Sequence, residues 1–511
     1  MATPEINPTG MTLADVQDGY ARGAFSCEAL TQAFLDRIAR LNPRLNAITF
    51  VNPHALTDAR AIDARRRAGE ALGPLAGVPV VVKDTMDMVG FPSTGGWSLL
   101  YAKTGGVDLM PGTDSPVVAR LRAAGAIVLG KTSVPILSSS GTNANNSWAG
   151  PTLNAVAADR APGGSSAGTA TAVAASMAVL GLAEETGGSI QNPAAAQALV
   201  GIKPTFALVP NTGVMPLASQ RDVVGPIARC VRDAALTLDV LAGITIDDPK
   251  TAAGQGRIPA GGYTSLLSDT ALQGRRLGLY GPGWRNQPLT PETAALYARA
   301  QQEVAARGAT LVADPFAGTG FADLRQPVSE TNEFDARGLE SAPHDIQNYL
   351  RRMGPQAALQ SVAEFAEATK AQDPFGPGGV LHDLHRLPGF AEALAQPDVM
   401  PPMAEFIAAR ASYLRIFNAV MDSQRLAALV FPHARAELPL LHGDVQIAET
   451  AVSEINIAGL PGVTLPAGSY ARGAPFSLIF VGRLFSEATL LAFAHDYEQA
   501  TRYRRAPTLS D

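Results

Sequence analysis

A chain of 511 residues can bury a large core, whether as one large domain or as several smaller ones. Its composition, 46% apolar and 17% charged, excludes a disordered or fibrous protein, and a net charge of -6 without basic runs argues against binding to nucleic acids or membrane surfaces. The two cysteines, Cys27 and Cys230, are too few and too far apart for a disulfide framework or a zinc site, and we interpret both as buried thiols.

The first predicted elements alternate between helix and strand. Residues 1–16 lack the charged start and apolar stretch of a secretory signal, so we expect a cytoplasmic protein. Apolar residues recur at helical spacing from Cys27 to Leu41, and Asn42-Pro43 is predicted to end this helix. Compact apolar runs at 48–51, 79–82 and 126–129 predict strands, and 117–124 predicts a helix. This alternation indicates an α/β sheet.

Residues 130–230 are rich in Gly, Ser, Ala and Asn, and we expect the chemistry there because such loops bring backbone groups close to a ligand. The uncharged run 161–183 is long enough to span a membrane but consists mainly of small residues. We interpret it as a loop that enters a buried helix near Thr169.

The second half of the chain begins differently. Residues 320–425 read as helical stretches interrupted by Gly- and Pro-rich breaks, without a strand pattern, and predict an inserted, substrate-shaping helical region. Buried strands are predicted at 428–431, 462–465 and 476–481, followed by a final helix over 486–501.

The first segment that could do chemistry is GVPVVVKD at 77–84, where Lys83 directly follows an apolar strand. Burial disfavours the ammonium form of a lysine and so favours a neutral amine that can accept a proton. A lysine at a strand end can equally extend its amine to water, so this segment alone leaves both readings open.

The second segment, GGSSAG at 163–168, places Ser165 among glycines that permit a tight turn. A flexible linker fits poorly, because the chain continues into an apolar helix. Residues 164–168 also match G-x-S-x-G, the nucleophile elbow of α/β-hydrolases, but no buried strand precedes them.

The third segment, ETGGSI at 185–190, places Ser189 on a loop whose glycines leave backbone N–H groups free to hold an oxyanion. A tight turn with a capping serine is the alternative. The seven histidines lie outside all three segments, which leaves a Ser-His-Asp enzyme without an evident base. His382 and His385 lack a third ligand nearby, and we expect no metal and no cofactor.

Taken together and in this order, the three segments resemble the amidase signature family. The 24-residue interval from Ser165 to Ser189 matches the spacing usual in that family. The similarity extends to GKT at 130–132, GIKPT at 201–205, Asp222 with GP at 225–226, AGLPG at 458–462 and VGR at 481–483.

The resemblance implies one α/β/α domain over residues 1–511 around a central mixed sheet, with an N-terminal helical segment at 1–70 and a catalytic core at 71–235. It also implies a Ser-cisSer-Lys triad. Ser189 would be the nucleophile, and Ser165, in a cis peptide, would carry the proton between Ser189 and a neutral Lys83. The supporting residues implied are Gly163, Gly164 and Ser166 around the second serine, and Thr186, Gly187, Gly188 and Ser189 as oxyanion donors.

Two departures concern the surroundings of the nucleophile. The family usually has Asp four residues before this serine and Arg two after it, where this chain has Glu185 and Gln191. The usual charged pair cannot form here, which favours an amidase for bulky or non-natural substrates. Trp97 and Trp148, together with residues 320–425, are predicted linings of the substrate site.

The expected function is an amidohydrolase that cleaves a small-molecule amide, such as an aryl amide, a peptide amide or a carbamate, through an acyl-enzyme. The alternatives are an esterase or carbamate hydrolase with the same triad, and the glutamine-hydrolysing A subunit of a tRNA-dependent amidotransferase. A binding protein with a dead site fits less well because all three triad residues are present. We expect a monomer or homodimer without nucleic-acid or membrane partners.

Overall fold

A computed structural model describes residues 6–328 and 333–509. Residues 329–332 of the predicted insertion, and the terminal residues 1–5 and 510–511, lie outside this range. The described chain forms one domain around a mixed sheet of 11 strands. The strands are β1 (Ile48–Val51), β2 (Pro79–Lys83), β3 (Ile127–Thr132), β4 (Leu180–Glu185), β5 (Val200–Lys203), β6 (Val223–Ala228), β7 (Arg276–Leu279), β8 (Thr310–Val312), β9 (Ala428–Pro432), β10 (Gly462–Ser469) and β11 (Pro475–Val481).

Helices pack against the sheet. They are α1 (Leu13–Ala21), α2 (Cys27–Leu45), α3 (Ala55–Arg67), α4 (Pro116–Ala123), α5 (Ala167–Ala174), α6 (Gln191–Ala196), α7 (Val231–Leu241), α8 (Pro291–Ala306), α9 (Ala342–Arg352), α10 (Val362–Thr369), α11 (Phe390–Ala395), α12 (Ala404–Ser423), α13 (Val452–Ala458) and α14 (Glu487–Thr501). None of the helices in the described ranges is both long and apolar enough to cross a bilayer.

The strand order is β1-β3-β2-β4-β6-β5-β10-β11-β9-β7-β8. Strand β2 is parallel to both of its neighbours, β3 and β4. Because the carboxyl ends of parallel strands meet at one edge of a sheet, the residues that end β2 and β4 lie next to each other. Lys83 ends β2, and the loop that carries Ser189 follows β4. This pairing positions the candidate site.

Helix α5 packs against the strands that carry the site. All eight of its residues are buried, and its small side chains allow a close approach to the sheet. A Cβ atom on Gly168 would lie 2.3 Å from the carbonyl oxygen of Ala47, so this position has no room for a side chain.

Two predicted boundaries were wrong. Helix α2 continues through Pro43 to Leu45 and ends where Asn46 adopts a left-handed conformation. Pro43 lies in the last turn, where its missing N–H removes only one helical hydrogen bond. The run 161–183 begins with the predicted loop and buried helix, α5, which starts at Ala167. The helix does not continue to the end of the run, because the chain turns at Ser176 and enters β4 at Leu180.

The two cysteines also differ from each other. Both are free thiols, but only Cys27 is buried, whereas Cys230 is half-buried, so the prediction of two buried thiols was wrong for Cys230. Cys230 immediately precedes α7.

Candidate active site

Lys83 is completely buried, and its amine has three polar partners. Nζ lies 2.7 Å from Ser165 Oγ, 2.7 Å from Glu184 Oε2 and 3.0 Å from the backbone oxygen of Glu184. The prediction left open whether this amine reaches water, and the structure places it inside. Two other lysines, Lys131 and Lys203, are equally buried but contact other groups. Lys131 also contacts a serine, Ser93, so Lys83 is distinguished by which serine it contacts, Ser165 of the GGSSAG segment.

Ser165 lies on the loop between β3 and α5, and the peptide bond that joins it to Gly164 is cis. The loop is tightly enclosed, since a Cβ atom on Gly164 would lie 2.4 Å from the carbonyl oxygen of Ser140. Ser165 itself is completely buried. The next residue, Ser166, donates its backbone N–H to the carbonyl oxygen of Ser189 at 3.3 Å, which ties this loop to the one that carries Ser189.

Ser189 lies between β4 and α6 and is 5% exposed. Gly188 has a φ of +93°, and a Cβ atom there would lie 2.7 Å from Asn192 Nδ2, so the turn requires glycine. Within residues 6–328 and 333–509, the backbone N–H groups of Gly187, Gly188 and Ser189 have no hydrogen-bond acceptor. Free N–H groups beside a serine can bind a developing negative charge.

A chain of polar groups continues from Lys83 away from the serines. The hydroxyl of Thr186 lies 3.3 Å from Glu184 Oε1 and also contacts Asp222 Oδ1. Burial, followed by repulsion from the Glu184 carboxylate, raises the pKa of Asp222 well above its usual range. The two carboxylates, Asp222 and Glu184, therefore oppose each other across the Thr186 hydroxyl.

Glu185 takes the place of the charged pair that is usual in the resembled family. One carboxylate oxygen accepts the backbone N–H groups of Ile190 and Gln191, at 2.8 and 3.1 Å. The other accepts from the Gln191 side chain and from Asn456 Nδ2. Glu185 thus holds both the backbone and the side chain of Gln191, and the start of α6 stays anchored.

Asn192 and His433 support the floor of the site. Asn192 Nδ2 donates to the carbonyl oxygen of Gly141 at 3.0 Å, so its Oδ1 can accept from His433 Nε2, 2.9 Å away. His433 is buried, and burial lowers its pKa to about 3. The imidazole is therefore neutral, with its proton on Nε2.

This depressed pKa predicts acid sensitivity of the fold. Unfolded His433 binds a proton below about pH 6.5 while the folded form does not until about pH 3, so stability present above pH 6.5 is lost as pH falls. The loss should be about 1.4 kcal/mol per pH unit, or about 2 kcal/mol between pH 6.5 and 5. Urea unfolding of the wild type and of His433→Gln at both pH values tests this. The variant should lose about 2 kcal/mol less, and equal losses would contradict the assignment.

A cavity of about 800 Å³ opens above Ser189. Its walls come from the loop 138–142, the loop 186–192, the segment 444–449 and residues of the predicted insertion. The insertion contributes Val328, Glu333, Phe334, Ala336, Leu339, Val380, Leu381, Asp383 and Leu384. Phe334 packs over the loop that carries Ser189, since a Cβ atom on Gly187 would lie 2.3 Å from its ring. Residues 320–425 therefore help to shape the cavity.

The two tryptophans predicted to line the site do not do so. Trp97 is 1% exposed, packs on Phe365 and donates its indole N–H to Gln372 Oε1. Trp148 packs on Tyr101 and Phe50. Their rings pack against neighbouring loops. A sequence alone does not show whether a tryptophan packs in this way or lines a cavity.

Sequence reasoning missed Glu184, Asn192 and His433. Glu184 had a usable signal, because it is an acidic residue that directly precedes the ETGGSI segment. His433 had none, because it meets Asn192 across 241 residues of chain. His382 and His385 lie together in a short 3-10 helix, with ring centroids 6.0 Å apart. Across the described residues, no group of three His, Cys, Asp or Glu side chains is placed to hold a metal ion.

Comparisons with known proteins bear on this geometry. The family model described as Amidase matches residues 29–375. The glutamyl-tRNA(Gln) amidotransferase A subunit of Moorella thermoacetica is 33% identical over 98% of each chain. The peptide amidase of Stenotrophomonas maltophilia has a similar structure, with a TM-score of 0.80, 32% identity and 99% of each chain covered. An amidase family protein from Bacillus anthracis has a TM-score of 0.80 at 26% identity, covering 98% of this chain and 93% of its own.

These similarities extend over nearly the whole chain, including the sheet, the site loops and the cavity walls. The predicted mixed-sheet α/β fold and the predicted family are confirmed. The chain belongs to the amidase family and is an enzyme that hydrolyses carbon–nitrogen bonds of amides.

Proposed function

We propose that this enzyme cleaves a small-molecule amide through an acyl-enzyme on Ser189, with Ser165 and Lys83 as the proton relay. The observation that supports this most strongly is the 2.7 Å contact between Lys83 Nζ and Ser165 Oγ, buried behind a loop on which Ser189 faces the cavity. A serine hydroxyl is a weak nucleophile until a neighbouring base takes its proton.

In the proposed reaction, Ser189 Oγ attacks the amide carbon while its proton passes to Ser165, whose own proton passes to Lys83. The backbone N–H groups of residues 186–189 hold the oxyanion. The carbon–nitrogen bond then breaks, and the relay returns its proton to the leaving amine. A water molecule, deprotonated by the same relay, attacks the ester and releases the acid and Ser189.

The size of the cavity supports a small-molecule or short-peptide substrate. Its volume of about 800 Å³ is in the range of sites for small molecules and short peptides. Both apolar side chains, such as Leu381 and Leu384, and charged ones, such as Arg435 and Asp383, line it. We infer an amide with an apolar portion and at least one polar group.

The test is an assay of the purified chain on matched anilide, ester and carbamate substrates with the same acyl group. We expect hydrolysis of the anilide without any added protein. An ester or carbamate preferred by more than about 100-fold in kcat/KM would instead indicate an esterase or urethane hydrolase, since the same site can stabilise either transition state.

A second candidate is the A subunit of a tRNA-dependent amidotransferase, which is favoured by the 33% identity to a protein of that kind over 98% of this chain. That function requires release of ammonia from glutamine and partner proteins. If the isolated chain hydrolyses no anilide or peptide amide but cleaves glutamine once partners are added, the second candidate replaces the first.

The relay predicts an intermediate effect for Ser165→Ala. Loss of this hydroxyl interrupts the proton path but leaves the nucleophile and the oxyanion donors, so kcat should fall about 100- to 1,000-fold and remain measurable. Ser166→Ala is the matched control, because its hydroxyl donates to the carbonyl oxygen of Glu184, at 3.3 Å, and contacts neither Lys83 nor Ser189 in the part of the chain that the structure describes. A Ser165→Ala variant no slower than Ser166→Ala would exclude the relay.

A further inference from the structure

Glu184 touches the amine of Lys83 with two of its own atoms. It is 2% exposed and next to last in β4, and both its carboxylate Oε2 and its backbone oxygen lie within 3.0 Å of Nζ. We propose that Glu184 is a positioning residue that aims the Lys83 amine at Ser165 and, by its charge, sets the pH at which the site becomes active. This inference rests on the function proposed above.

The number of donors on the amine supports the positioning role. A neutral amine has two N–H bonds and one lone pair, whereas an ammonium ion has three N–H bonds and no lone pair. Glu184 supplies two acceptors, so it can occupy both N–H bonds of the neutral amine. The lone pair is then directed at the third partner, Ser165 Oγ. In this state the serine can donate its proton to the amine.

The charge of Glu184 supports the second role. When the proton arrives, the amine becomes an ammonium ion 2.7 Å from a carboxylate, which stabilises the product of the transfer. The proton moves from Ser189 to Lys83 through Ser165, and Glu184 itself neither gains nor loses one. Its effect is thus exerted through Lys83.

Other polar and charged groups surround Glu184. The Thr186 hydroxyl lies between Glu184 Oε1 and Asp222 Oδ1 and can donate its proton to either carboxylate. On the same side, Arg221 Nε donates to the backbone oxygen of Thr186 at 3.2 Å. Lys83, on β2, is the cation that contacts the Glu184 carboxylate directly.

The test uses Glu184→Gln, which keeps an acceptor for the amine but removes the charge. The rate at which a fluorophosphonate probe labels Ser189 is measured from pH 5 to 10, so no natural substrate is needed. Without the carboxylate the ammonium ion is less stable and loses its proton at lower pH. The midpoint of the acid limb should therefore move about 1 to 3 pH units downward, and the plateau rate should fall about tenfold.

Glu185→Gln is the matched control. It removes the charge of a neighbouring buried glutamate that contacts Gln191 and Asn456 instead of Lys83, so the midpoint should stay within a few tenths of a unit of the wild type. An unmoved midpoint in Glu184→Gln, with normal labelling of the wild type, overturns the role of Glu184 and leaves the proposed function standing. A wild type that is not labelled at Ser189 overturns both.

A second variant covers the case in which Glu184→Gln does not fold. Glu184→Met has nearly the same length and brings no polar atom of its own into the buried site. Its midpoint should move in the same direction, and its plateau should fall further, because one N–H of the amine loses its acceptor. A midpoint equal to that of the wild type contradicts the proposal here too.

Discussion

Replacing Ser189 with alanine is expected to abolish turnover, lowering kcat by at least about 10⁴-fold on any substrate that the wild type cleaves. The proposed reaction forms its covalent bond at Ser189 Oγ, which the variant lacks. The nearby N–H groups can still help to bind the substrate and stabilise an oxyanion, but they cannot replace the nucleophile. The fold should be unaffected, since the change removes one hydroxyl facing the cavity. Steady-state rates of purified variant and wild type, with their unfolding temperatures, measure both effects.

Ser139→Ala is the control for this variant, because Ser139 also lines the cavity but lies on a different loop. Its kcat should stay within about tenfold of the wild type. A Ser189→Ala enzyme that retains a tenth of the wild-type kcat would show that the nucleophile lies elsewhere. It would also exclude the proposed relay, which takes its proton from Ser189.

Lys83→Ala is expected to be nearly as damaging, with a loss of about 10³- to 10⁴-fold in kcat. Without the amine, Ser165 has no group to which it can pass a proton, and the Glu184 carboxylate is left buried without its cation. Because such a charge destabilises the fold, the rates must be compared well below the unfolding temperature of the variant.

In the wild type, activity should rise from acid to mildly alkaline pH, and a maximum near pH 5 would contradict a neutral amine as the base.

Lys203→Met separates the loss of a buried lysine from the loss of this particular one. Lys203 is as buried as Lys83, and burial lowers its pKa to about 8, but its amine contacts the carbonyl oxygens of Pro204 and Leu460. We expect a lower unfolding temperature with kcat within about tenfold of the wild type. Equal losses of kcat in the two variants would show that Lys83 acts through stability alone.

The strands that a sequence reveals are those with uninterrupted apolar runs. Strand β2 was predicted because it combines such a run with burial on both faces, and β1, β3 and β9–β11 were predicted on similar patterns. Strand β6 was missed because Gly225-Pro226 reads as a turn, although it lies within the sheet between β4 and β5. Strand β4 was missed because its first residues belong to the small-residue run 161–183, which was interpreted as a loop that enters a helix.

The two glutamates that end β4 show why the site could be predicted only in part. Lys83, Ser165 and Ser189 were recognisable from short segments and their order. Val82 of β2 pairs with Leu182 of β4, so the alternation of side chains along a strand would put Glu185 on the same face as Lys83. The contact with the amine is made by Glu184 instead. It forms at the end of both strands, where alternation no longer decides which side chains meet, so no local pattern reveals it.

The most direct test of the proposed mechanism is to find where a fluorophosphonate reacts. The wild-type enzyme is incubated with the probe, digested, and the modified peptide is sequenced by mass spectrometry. A single adduct on Ser189, formed slowly in Lys83→Ala and not at all in Ser189→Ala, is the predicted result. An adduct on another residue, or labelling of Ser189 that is as fast in Lys83→Ala as in the wild type, would contradict a nucleophile at Ser189 that is activated by Lys83.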